Sequence, residues 1–151
     1  EIDFIRMVIR NHMLIHPLVK QTNLDVREAA YHYYQSTGSA GVADCLFSLA
    51  DLLSTYEEKM NLARWEAGVR IACSFLDIWI HHYQEVIDPV LLLDGEEIKK
   101  TFNLEEGLLI GKIKTELKFA QAVGKVKTKP EAIEFVQSWL NYLKGDQNEC
   151  G

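Results

Sequence analysis

Apolar residues recur at helical spacing along almost the whole chain. Val42, Leu46, Leu49, Leu53 and Tyr56 follow one another at three- and four-residue intervals, which puts them in one stripe on one helix face. Trp65, Val69, Ala72, Leu76, Trp79, Ile80 and Tyr83 repeat the pattern and predict a long helix over about residues 64–87, stopped by Pro89. Ala132, Ile133, Val136, Trp139, Leu140 and Leu143 predict a third, with Thr128 as its cap and Pro130 in its first turn. Weaker periodic segments lie at about 2–15, 25–36 and 107–123. No period-two alternation of useful length marks a strand. The chain reads as all-α, a multi-helix array of about seven helices.

Breaks fall at His16-Pro17, at Ser36-Thr37-Gly38-Ser39 and at Asp88-Pro89. They divide the chain into a helical body over 1–89, a smaller glycine- and lysine-rich lobe over 90–144, and a polar, flexible tail over 145–151. A chain of 151 residues is long enough for one real core or two small helical lobes. No apolar run approaches the roughly 20 residues that span a bilayer, so no membrane partner and a cytoplasmic location are expected. The sequence opens at Glu1 inside an apolar-periodic segment (Ile2, Phe4, Ile5, Val8, Ile9), and a helix starting there without a cap points to a piece of a longer protein. Cys45, Cys73 and Cys150 are odd in number and form no CxxC; they read as two core thiols and a tail thiol in a reducing compartment.

Charge changes the picture. A formal net charge of −6 argues against nucleic acid as a partner, but its distribution argues otherwise. Residues 1–93 carry 7 basic and 12 acidic groups, whereas residues 112–129 carry six lysines (Lys112, Lys114, Lys118, Lys125, Lys127, Lys129) against Glu116 alone. The average hides a local basic patch.

That patch lies in the most informative block, Leu91 to Glu134. An acidic helix start, Asp94-Gly95-Glu96-Glu97-Ile98, leads to Phe102-Asn103-Leu104 and to Gly107-x-x-Ile110-Gly111. A helix, Gly124-Lys125-Val126 and Thr128-x-x-Glu131-Ala132 follow. In order and spacing the block resembles the C-terminal region of the bacterial tRNA nucleotidyltransferase and poly(A) polymerase family. Upstream, Ile9-Arg10-Asn11-His12-Met13 resembles the last helix of the HD-like section of such enzymes, and Ala43-Asp44 with Ala50-Asp51 resembles their alanine-aspartate helix. The resemblance covers nearly the whole chain. Leu108 departs from it, standing where the family usually has proline. The family's catalytic head is absent, since no Gly-Ser loop followed by a paired-aspartate strand occurs, and no His-Asp dipeptide supplies an HD metal motif.

Several residues carry candidate chemistry. Gly107 and Gly111 bracket a helix start and would let backbone amides approach a phosphate closely. Lys114, Lys118, Gln121 and Lys125 fall near one face, opposite Ile110, Ile113 and Leu117, where they would follow an RNA backbone. The bland reading of the same residues is a glycine-marked turn and a solvated lysine face. His12 and His16 have the i, i+4 spacing of zinc helices but lack further ligands, so they stand only as weak metal candidates. His81-His82 fits a helix C-terminus, where an imidazolium meets the negative end of the dipole. Asp44 and Asp51 share a face and are expected to pair with arginines such as Arg27 or Arg70. Tyr31, Tyr33 and Tyr34 with His32 would either stack on bases or pack between helices.

The resemblance implies a non-catalytic, tRNA-holding C-terminal domain of a template-independent RNA nucleotidyltransferase of the CCA-adding or poly(A) polymerase type. RNA-binding residues would be Gly107, Gly111, Lys112, Lys114, Lys118, Lys125 and Lys127. No catalytic residue and no cofactor is expected in this chain; magnesium and nucleotide belong to the head, which is the other expected partner. Two rival readings are the C-terminal part of an HD-type metal-dependent phosphohydrolase and an oligomerisation module built on the Trp65–Tyr83 helix.

Overall fold

The computed structural model describes residues 2–54 and 62–148. Tyr56 of the first predicted stripe and the tail thiol Cys150 lie outside the described residues. Among those residues the fold is all-α, without a strand: seven helices of two turns or more, a single-turn helix, a 3-10 turn and a π turn. The chain forms two compact units, Glu1–Ile87 and Asp88–Gly151.

The first unit contains α1 (Ile2–Asn11), the single turn α2 (Ile15–Leu18), α3 (Val26–Thr37), α4 (Gly41–Ser54) and α5 (Leu62–His81). Asp25 starts α3 by accepting hydrogen bonds from the Arg27 and Glu28 amides at 3.0 and 3.1 Å, two of the donors a helix start leaves unpaired. Gly38, at φ 51°, ends α3 and opens the 3-10 turn Gly38–Ala40 that leads into α4. The predicted break at His16-Pro17 falls earlier. α1 stops at Asn11, whose side chain donates to the Met7 carbonyl at 3.0 Å, and Pro17 sits inside α2. The long helix predicted to run to residue 87 ends at His81, and a π turn, Tyr83–Ile87, carries the chain to Pro89. The end of that turn is tied to α3 through Gln35, whose amide donates to the Ile87 carbonyl at 2.9 Å.

The core of this unit gathers Phe75, Tyr33, Tyr34, Ile15, Ala30, Cys45 and Ala72. On its two longest helices the most buried face is centred about one residue before the predicted stripe, whose Leu49, Leu76 and Trp79 pack at the edge of the core. On α4 the inward positions are Gly41, Cys45, Ser48 and Leu52, each one residue before Val42, Leu46, Leu49 and Leu53. On α5 they are Gly68, Ile71, Phe75 and Ile78, each one before Val69, Ala72, Leu76 and Trp79, although Ala72 of the predicted stripe is buried as well. One residue is about 100° of helix rotation. The reason is size: α4 and α5 meet through small residues, and a Cβ on Gly68 would lie 2.8 Å from Leu52. Leu46 and Leu53 are left exposed, as are Ile2, Ile5 and Ile9 on α1.

The second unit holds α6 (Gly95–Phe102), α7 (Leu108–Ala122) and α8 (Lys129–Asn148) around Leu93, Ile98, Ile113, Leu117, Ala132 and Val136. Here the predicted inward positions hold on α7 (Ile110, Ile113, Leu117) and in the main on α8, where Ala132, Val136 and Leu140 are buried and Trp139 and Leu143 half-buried, but Ile133 is exposed. Asp94 and Glu97 form a reciprocal capping box at the start of α6. A Schellman motif closes α7: the Gly124 amide bonds to the Gln121 carbonyl, the Lys125 amide to the Ala120 carbonyl, and Gly124 takes φ 76°. Thr128 caps α8, as predicted, with its hydroxyl 3.4 Å from the Glu131 amide. The helix continues through the segment expected to be a flexible tail as far as Asn148. Before α6, Gln121 holds the backbone with both ends of its amide: Oε1 accepts from the Leu92 amide at 3.0 Å and Nε2 donates to the Val90 carbonyl at 2.8 Å.

Candidate nucleic-acid interface

The basic segment resolves into lysines with different surroundings. Lys118 is half-buried and paired with Asp88, and Lys129 is paired with Glu97. The Lys129 ammonium, with the Asp94 amide, holds the Glu97 carboxyl below its ordinary range. Lys112, Lys114, Lys125 and Lys127 are exposed and form no ion pair among the described residues. Unpaired lysines keep their full charge available to an incoming anion, so these four, rather than the two paired ones, set the field outside the lobe.

Lys114 and Lys118 share one face of α7 with Gly111 and Thr115, and together with Leu91 they line a shallow groove of about 380 Å³. A Cβ on Gly111 would meet nothing within 4 Å, so this glycine leaves open space in the groove wall rather than relieving a clash. The Thr115 hydroxyl donates to the Gly111 carbonyl at 3.1 Å. Lys112 lies two residues from Lys114, about 200° around the helix, and belongs to another face. Lys125 and Lys127 leave the turn after α7. That turn is fixed by the Schellman motif, by buried Val126, and by the Lys127 amide donating to Glu131 at 2.8 Å.

Gly107 is different. It is the N-cap of α7, in extended backbone and without a side-chain cap, so its amides have the geometry for an anion. Glu105 and Glu106 stand immediately before it, however, and Glu106 reaches Lys99 at 3.5 Å. Two carboxylates beside a helix N-terminus oppose a phosphate there. Gly107 is thus separated from Gly111 in electrostatic character, although four residues apart in sequence. Gln121, expected on the lysine face, spends both hydrogen-bonding groups on the Val90–Leu92 backbone.

The remaining candidates are structural. Tyr31, Tyr33 and Tyr34 are buried and pack between helices, which removes them as stacking platforms. Tyr34 lies against Trp79 with ring centroids 5.0 Å apart and donates its hydroxyl to the Phe75 carbonyl at 2.8 Å. His12 and His16 stand on either side of the break after α1. His12 Nδ1 lies 2.7 Å from the Ile9 carbonyl, and His16 Nε2 lies 3.3 Å from Asp51, within ion-pair reach but not aligned as a hydrogen bond. Burial is the largest influence on His16 and depresses its pKa; nearby Asp51 acts in the opposite sense. Among the described residues no group of three or more His, Cys, Asp or Glu side chains is placed to hold a metal ion. Asp44 is wholly buried and bonded by the Tyr33 hydroxyl, not by an arginine, while Arg27 lies 3.9 Å from Glu85. His82 sits past the end of α5, 3.4 Å from Glu85. Cys45 is a core thiol, as predicted, but Cys73 is exposed.

A second concavity, of about 530 Å³, lies in the first unit between Leu14–Leu24 and α3. It is lined by Asp25 and Glu28 and by no lysine or arginine, so it does not suit a phosphate. No helix among the described residues is long and apolar enough to cross a membrane. No protein-family model, curated protein or solved structure matches the chain.

Proposed function

We propose that this chain is a non-catalytic, RNA-holding part of a template-independent RNA nucleotidyltransferase, with tRNA as the ligand class. The observation that carries the reading is the set of exposed, unpaired lysines of this unit, Lys114 in the groove beside Gly111 and Thr115, and Lys125 and Lys127 on the turn that the Schellman motif fixes after α7. Ammonium groups along a groove neutralise phosphates and release counterions, a contact that positions RNA without reading its sequence. The carboxylates at the α7 start direct the backbone toward the groove and away from Gly107. Magnesium and nucleotide would be held by a catalytic head, as the family resemblance implies; none of the residues assigned here touches them.

The experiment is a fluorescence-anisotropy titration with deacylated tRNA at about 50 mM and about 200 mM salt, repeated for Lys114→Gln with Lys125→Gln. Saturable binding that weakens steeply with salt is expected, with a slope smaller by about one for each lysine that contacts a phosphate. Lys118→Gln is a poor substitute, because it also breaks the pair with Asp88. Binding that is absent at low salt, or a slope unchanged in the double variant, would remove the groove from the account.

A second reading, an interaction module, draws on α1. Ile2, Ile5 and Ile9 are 67%, 56% and 59% exposed on the face turned away from the core, and soluble monomers rarely leave large contiguous apolar patches uncovered. Sedimentation that reveals a tight dimer without tRNA affinity would favour it over the RNA reading.

A further inference from the structure

Three oxygens meet in the corner where α3 turns through the 3-10 turn into α4. The Tyr33 hydroxyl lies 2.9 Å from the Gly41 carbonyl and 2.8 Å from Asp44 Oδ2. A phenol has one proton, so it can donate to only one of these acceptors. All three residues are buried, Asp44 completely, and the other carboxylate oxygen, Oδ1, has no hydrogen-bond partner. An ionised Asp44 would thus leave two faults in the core: a second acceptor at Tyr33 without a proton, and an unpaired charged oxygen out of contact with water. Each is the kind of defect a folded interior avoids.

A single proton on the carboxyl removes the conflict. We infer that this corner is built around a neutral Asp44, whose Oδ2–H donates to the Tyr33 hydroxyl, which donates in turn to the Gly41 carbonyl. Every short contact then has one donor and one acceptor, and Oδ1 becomes a carbonyl-like oxygen, far cheaper to bury than a charged one.

The surroundings agree. From α3 the facing group is Tyr33, itself pushed to higher pKa by burial and by the Asp44 carboxyl. On α4 the adjacent Cys45 thiol points to the Ala72 carbonyl of α5, and α5 sets Cys73 near that thiol. α2 sends His16 to Asp51, seven residues along α4, and Arg64 of α5 acts on that histidine. Among the described residues the His12 side chain, after α1, acts to favour ionisation of Asp44; burial outweighs it and raises the Asp44 pKa.

The corner is therefore an alkali-sensitive latch. Loss of the shared proton leaves Tyr33 donating to either the carboxylate or the Gly41 carbonyl, and the connection between α3 and α4 loosens. The test is the ¹³Cγ resonance of Asp44 in the full chain, assigned by its disappearance in Asp44→Asn and followed from pH 4 to pH 9. The Asp44 signal should stay in its protonated position after the other aspartates have titrated, because burial raises its pKa above theirs. Asp44→Asn, whose amide can donate to Tyr33, should fold and lose the alkaline loosening, read as the protection factors of the Gly41 and Ala43 amides, each measured against the intrinsic exchange rate at the same pH. A midpoint among the other aspartates would overturn the inference, whether or not the variant folds. So would Asp44→Asn retaining the alkaline fall in protection factor.

Discussion

Two glycines inside or at the start of helices should respond to alanine with opposite signs. Gly111 lies in α7, and a Cβ added there would have nothing within 4 Å, so Gly111→Ala adds no clash and gains helix propensity. The gain is about 0.5–1 kcal/mol. Gly41 opens α4, and a Cβ there would lie 2.6 Å from two ring carbons of Tyr34 and 2.7 Å from the Thr37 hydroxyl. Neither neighbour can yield. Tyr34 is 2% exposed, held against Trp79 and by its hydroxyl to Phe75, and Thr37 is 0% exposed with its hydroxyl bonded to the Tyr33 carbonyl. Overpacking of this kind costs about 1–3 kcal/mol, which exceeds the same propensity gain of at most ~1. Gly41→Ala should therefore destabilise the first unit by up to about 2 kcal/mol net. Hydrogen exchange by mass spectrometry reads each unit separately: protection should rise in α7 of Gly111→Ala and fall in α3 and α4 of Gly41→Ala. Equal signs at the two sites would refute the reasoning, since propensity alone predicts a gain at both. Gly111→Ala also separates stability from binding. If phosphate approaches the open wall of the groove, tRNA affinity should drop while the lobe becomes more stable.

Other outcomes follow from single contacts. Burial depresses the His16 pKa below its ordinary 6.5, so the unfolded chain takes up that proton first; stability of the first unit should be full above about 6.5 and fall as pH drops through the folded value. Denaturant midpoints between pH 5 and pH 8 check this, and a His16→Asn variant with the same acid-side decline would contradict it. Burial pushes the Cys45 thiol up to about 12, whereas Cys73 is exposed, so native-state alkylation should label Cys73 and spare Cys45 until denaturant is added. Comparable labelling of both thiols in the native chain would show that the α4–α5 contact opens. Tyr34→Phe deletes a hydroxyl bonded to a carbonyl inside α5 and should cost about 1 kcal/mol by chemical denaturation; a loss above about 3 would mean the ring itself had moved.

How much of this could be read from the chain alone differs between the units. The inward faces of α7 and α8 were legible because each pairs large apolar residues with a charged outer face, as with Leu117 and Lys118. α4 and, Ala72 apart, α5 misled by one residue, because the faces that meet are marked by Gly41, Ser48 and Gly68, small residues that hydrophobic periodicity does not weigh. Phe75, completely buried at the centre of the first core, was for that reason missing from the predicted stripe. At the candidate site, the shared face of Gly111, Lys114 and Lys118 followed from helical spacing. That Asp88 would neutralise Lys118 did not, since thirty residues and a change of direction separate them. Nor could spacing disclose that Tyr33 and Asp44, eleven apart on different helices, share a buried hydrogen bond.

The Gln121 amide holds the Val90–Leu92 backbone as a neighbouring strand would, giving one bond and receiving another. The side chains nearest it in length or chemistry do not do this from the same Cα: an ionised glutamate cannot donate, asparagine is a methylene too short, and lysine and arginine cannot accept. The surface lysines, in contrast, need only a positive charge somewhere along the groove, so arginine or a shifted lysine serves as well. Drift in this lineage should accordingly erase the lysine pattern long before it erases the glutamine. Common descent with distant relatives is better sought through this one inconspicuous amide, three residues ahead of a left-handed glycine, than through the basic residues that first attract the eye.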